Sequence, residues 1–120
     1  MARVEQTFEL LDLAPRAKKC EAMEGLVKEA QGVIEDTDTG TATRDVALII
    51  AAQKVEHYEI ATYGSLVQLA KTIGMNNVAE VLVETLQEEK ETDELLTNIA
   101  ESGINKEGAT EEGNEGEEER

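Results

Sequence analysis

Apolar residues recur along this chain at alternating steps of three and four, and nowhere with the two-residue period of a strand, so the pattern predicts helices throughout. The first, about Arg3 to Leu13, lines up Val4, Phe8 and Leu11 and stops before Pro15, whose ring and missing N–H end a helix. The second, about Ala17 to Ile34, aligns Cys20, Met23, Val27, Ala30 and Ile34 despite Gly25 and Gly32, each costing about 1 kcal/mol against Ala. A polar linker of glycine and hydroxyl residues, Glu35 to Thr43, separates it from the third. That third helix, about Arg44 to Ile73, spans roughly 45 Å and meets Gly74, a natural left-handed terminator. Asn77 caps the fourth, with Glu80 three residues on completing a capping-box pattern, and Gly103 follows its end near Ser102. Because the connection Gly74-Met75-Asn76 is so short, the two long helices fold back antiparallel. The expected fold is all-α: a bundle built on a long antiparallel hairpin, with shorter N-terminal helices.

Both long helices carry a seam broken at one level by acids. On the third it reads Ile49, Ala52, Glu56, Glu59, Tyr63, Leu66, Ala70, Ile73; on the fourth, Ala79, Leu82, Leu86, Glu89, Asp93, Leu96, Ala100. If the hairpin turns about position 75, facing residues sum to about 150, which sets Glu56 and Glu59 level with Glu89 and Asp93. Buried anions cost several kcal/mol each unless they are protonated, paired or bound to a cation. Carboxylate oxygens suit iron, manganese, magnesium or calcium. A plainer reading stands beside this one. The adjacent line Val78, Val81, Thr85, Glu88, Thr92, Leu95, Ile99 is also largely apolar, and a small rotation onto it would leave all four acids in water.

Charge narrows the function. With 27 acids against 11 bases the chain carries a net charge of −16, which disfavours a nucleic-acid partner. Lys106 to Arg120 holds seven acids, two bases and one small apolar residue, Ala109, so it is expected to be a disordered acidic tail behind a helical domain of residues 1–105. The longest apolar run, Val46 to Ala52, is far too short for a membrane span. Glu5 and Glu9 interrupt any leader after Met1, so a soluble, cytoplasmic protein is expected. Aromatic residues make up only 2% of the chain, and the core must come from Leu, Ile, Val, Ala and Met. The single cysteine, Cys20, excludes an internal disulfide and reads as a small buried hydrophobe. The lone histidine, His57, reads as a helix contact or a partly exposed side chain. Tyr63, one turn beyond Glu59, can hydrogen-bond a carboxylate or simply pack. No phosphate loop, dinucleotide fingerprint or Ser-His-Asp order is present, and no small-molecule substrate or catalytic residue is identified.

Three stretches, KKCEAMEGLVKEA (Lys18 to Ala30), ALIIAAQKVEHYEIATYGSL (Ala47 to Leu66) and ETLQEEKETDELLTNIA (Glu84 to Ala100), resemble the YciE/YciF stress-protein family of the ferritin-like superfamily. The resemblance covers roughly residues 3–105. It implies a ferritin-like helical bundle and, by superfamily relation, a dinuclear iron or manganese site. Glu56 with Tyr63 seven residues on matches the spacing of ferritin-like ligand helices, and Glu89 stands where a Glu-x-x-His motif is expected. Thr92 occupies the histidine position there, with Asp93 after it. Glu56 and Glu89 would then be the principal ligands, Glu59 and Asp93 supplementary ones, with Tyr63 behind them. The resemblance also implies that an earlier helical hairpin, with further ligands, is missing from this chain. Two long helices with wide apolar faces cannot shield both alone. A homo-oligomer, most simply a homodimer rebuilding a four-helix bundle, is therefore expected. Two functions follow: a stress-associated protein with a carboxylate-rich di-metal site, or a metal-free structural or interaction module on the same fold. Without identifiable histidine ligands or open coordination positions, neither is assigned an enzyme activity.

Overall fold

The computed structural model describes the backbone of residues 2–118 and the side chains of residues 2–111. Among the described residues there are helices and no strands: α1 (Ala2–Leu10), α2 (Glu21–Asp36), α3 (Ala42–Thr72), α4 (Asn76–Ile99), a π-helical turn (Ala100–Ile104) and α5 (Asn105–Glu118). The all-α expectation therefore holds. The chain divides into two compact units: residues 1–19 with 56–92, and residues 20–55 with 93–120.

The first unit is a helical hairpin with a core. Val67 and Ala70 of α3 pack with Val78, Ala79 and Leu82 of α4, and Leu11, Tyr63, Met75 and Leu86 close around them. Gly74 adopts φ +79°, the left-handed conformation that a side chain disfavours. Its N–H donates to the Lys71 carbonyl at 3.1 Å, and the Met75 N–H donates to the Ala70 carbonyl at 2.8 Å. This is a Schellman ending, and it turns the chain directly into α4. The predicted cap at Asn77 falls two positions late, inside a helix whose first carbonyl is that of Met75: Ala79 N–H donates to the Met75 carbonyl, and Asn77 Oδ1 accepts from the Val78 N–H. Helix α1 ends sooner than periodicity predicts, with Asp12 at φ +56°.

The second unit departs further from expectation. Helix α2 begins at Glu21 rather than Ala17, because Cys20 is its N-cap, with Sγ accepting from the Met23 N–H at 3.4 Å. Cys20 is exposed, which corrects the reading of it as a buried hydrophobe. Arg44 binds the α2–α3 loop together. Its Nε donates to Thr37 Oγ1 at 3.0 Å, and Nη2 donates to the carbonyls of Ile34 and Thr37. Gly103, at φ +142°, does break α4's course. The chain then resumes as α5 through the segment expected to be a disordered tail. The physical reason is tertiary. Gly108 is buried against α3, and Glu111 satisfies backbone donors at α3's first turn.

Candidate functional site

Helical spacing puts Glu56, Glu59 and Tyr63 on one stripe of α3, and the hairpin brings Glu89 of α4 to them. All four are half-buried. The Glu89 carboxyl lies within hydrogen-bonding reach of both Glu56 and Glu59. Carboxylates so close repel, and one must carry a proton for another to accept from it. Glu89 is accordingly held above the usual carboxylate range, first through its hydrogen bond with Glu56 and then by burial. Glu59 is also raised, chiefly by burial and then by Glu89. Burial, followed by the charges of Glu59 and Glu89, lifts the Tyr63 phenol as well. Tyr63 packs against the hydrophobic cluster and also lines the hollow beside the acids. One oxygen of Glu56, Oε2, is buried with no hydrogen-bond partner.

Beside this set lies a hollow of about 510 Å³, lined by Arg3, Val4, Glu59, Tyr63, Thr85, Glu88 and Glu89 among others. Arg3 of α1 forms its rim. The guanidinium donates to both Glu88 oxygens, at 2.7 and 2.6 Å, while its Nε lies 3.2 Å from Glu84. Glu88 is thereby held below the usual range, in contrast to Glu89 beside it. Arg3 was missed in the sequence because its partners stand more than eighty positions away.

The fourth predicted ligand, Asp93, belongs to the second unit, where Gln53 Nε2 donates to its backbone carbonyl at 3.5 Å and to Thr97 Oγ1 at 2.7 Å. His57 is exposed. Among the described residues no group of three or more His, Cys, Asp or Glu side chains is arranged to hold a metal ion. The three glutamates instead hydrogen-bond to one another through Glu89. Nor, among the described residues, is any helix long and apolar enough to cross a membrane.

Fold and geometry together define an all-α helical-bundle protein with a half-buried trio of glutamates in its first unit. Residues 1–109 match the family described as a domain of unknown function, DUF892, and the chain belongs to that family, the YciF family. It is 51% identical over 105 residues to Protein YciF of Escherichia coli K12, covering 87% of this chain and 63% of that protein. The crystal structure of the E. coli stress protein YciF superposes with a TM-score of 0.80 at 49% identity, covering 88% of this chain and 66% of that one. YcfI of Rhodopseudomonas palustris, described as a candidate structural protein, gives a TM-score of 0.74 at 37% identity, covering 80% and 60%. The chain thus spans less than two thirds of the length of each of these relatives.

Proposed function

We propose that this chain is a stress-associated, ferritin-like helical protein in which Glu56, Glu59 and Glu89 of the first unit exchange their present hydrogen-bonded arrangement for a divalent cation, iron or manganese, when one is supplied. The observation that carries the reading is the buried, unpartnered Oε2 of Glu56 beside two carboxyls held above their usual range. An all-oxygen donor set of this kind suits a hard cation, which replaces the shared protons and relieves the repulsion. When bound, such an ion would supply Lewis-acid or redox chemistry. The chain's own groups would bind it, hold Glu88 in its ion pair with Arg3 at the rim of the hollow, and keep Tyr63 neutral there. A homo-oligomeric state belongs to the same reading, supported by the exposed apolar side chains Leu66 (42%), Leu69 (60%) and Ile73 (68%) along α3.

Those exposed side chains also favour a second reading, a metal-free structural module, and the YcfI relative is described in such terms. One experiment separates the two. Protein purified without chelator is assayed for metal and for mass by light scattering, then melted with and without manganese(II). The metal reading expects bound ion and a higher melting temperature with manganese(II), both lost in the Glu56→Gln, Glu89→Gln double variant. An oligomer with no metal and no melting shift would leave the structural module.

A further inference from the structure

A helix begins with four N–H groups that have no partner within it, and those of α3 can be accounted for one by one. Asp45 N–H donates to the Thr41 carbonyl at 3.3 Å, and Arg44 N–H to Thr41 Oγ1 at 3.2 Å. The remaining two are served from α5. Ala42 N–H donates to Glu111 Oε2 at 2.9 Å and Thr43 N–H to Oε1 at 2.8 Å, with Thr43 Oγ1 adding a third bond at 2.9 Å. These donors hold the Glu111 carboxyl below the usual range.

One turn earlier, α5 packs on α3 closely enough to leave no room for a side chain at Gly108. A Cβ on Gly108 would lie 2.9 Å from Val46 Cγ2 and 3.6 Å from the Ala42 carbonyl oxygen, and Val46 is β-branched and stiff. Around that contact is an apolar hollow of about 390 Å³ lined by Thr43, Val46, Ala47, Ile50, Asn105, Gly108 and Ala109. The α5 side brings only Gly108 and Ala109 as apolar groups, so little hydrophobic area holds it down. Its own helix is weak, because Gly and a run of like charges both disfavour one. The joint before it is a π-helical turn containing Gly103 at φ +142°.

We propose that α5 is a hinged clasp over the start of α3, latched by Glu111 and seated by Gly108, whose opening at Gly103 uncovers Val46 and Ala47 beside the already exposed Ile50. The latch is electrostatic and the seat is steric, so each fails independently. Neutralising Glu111 removes the charge that strengthens its bonds to the N-terminal N–H groups. The groups facing it across the adjoining hollow are Asp45 of α3 and Lys106 and Glu107 of α5, two acids and one base. Their net charge favours release over capture of a second anion.

The test is amide hydrogen exchange on the full chain, read at Ala42 and Thr43, with Val78 to Leu82 as the folded reference. Glu111→Ala should speed exchange at both amides by at least about tenfold, and Glu111→Gln, which keeps an acceptor, by less. Gly108→Val leaves Glu111 intact but fills the seat, and should produce the same acceleration together with new binding of a hydrophobic dye. Unchanged exchange in Glu111→Ala overturns the latch. Acceleration in Glu111→Ala without any in Gly108→Val reduces Glu111 to a local cap and overturns the clasp.

Discussion

The two units treat their acids in opposite ways. In the first, Glu59 and Glu89 are pressed together beside a hydrophobic cluster and held above the ordinary carboxylate range. In the second, Glu111 sits on backbone N–H donors and is held below it. The first unit buries Val67, Val78 and Leu82, whereas the buried apolar residues described in the second are Ala51 and Ala100. One unit has the apolar packing to tolerate a repulsive cluster, and the other depends on polar latches. Repulsion retained inside the better-packed unit is what the proposed cation would relieve.

The sharpest way to break that comparison is to cut equivalent side chains in each unit. Leu82→Ala, at a position only 7% exposed, should cost about 2–5 kcal/mol through lost transfer energy and the cavity left behind. Ile50→Ala, at a position 51% exposed, should cost under about 1 kcal/mol. Urea unfolding followed by circular dichroism measures both. Equal losses would mean that the second unit has a core of its own.

A smaller effect separates the units by pH. Raised folded-state values mean that Glu59 and Glu89 bind protons in the folded chain at a pH where the unfolded chain has released them. Their contribution therefore grows as pH falls from neutral toward the ordinary carboxylate range, and is lost as pH rises through the raised values. Glu111 runs the other way: its contribution is complete above the ordinary range and is lost as pH falls through its lowered value. Metal-free protein should thus melt higher at pH 5.5 than at pH 7, about a degree or a few, and Glu89→Gln should flatten that slope. A slope of the opposite sign would place these acids in open water.

Much of the first unit was legible in the sequence. The three-and-four spacing located α3 and α4, Gly74 marked the turn, and counting about that turn set Glu89 beside Glu56 and Glu59. These are local signals, and a hairpin with a short connection extends them across two helices. The second unit was far less legible. The charge pattern of residues 106–120 argued for disorder because what holds α5, the Gly108 seat and the Glu111 bonds, spans more than sixty residues and has no local signature. Cys20 looked apolar on a helical stripe, yet it stands at the helix boundary as a cap, where periodicity says nothing. Arg3 escaped for the same reason as Glu111: its partners, Glu84 and Glu88, are distant in sequence.

The most direct test of the central claim is calorimetric titration of manganese(II) into the metal-free protein at pH 6, run in two buffers of different ionisation heat so that released protons are counted. If Glu59 and Glu89 hold protons that a cation replaces, binding must release protons, and the Glu56→Gln, Glu89→Gln variant must neither bind the ion nor release them. Binding that persists in the variant, or binding with no proton release, would contradict the account.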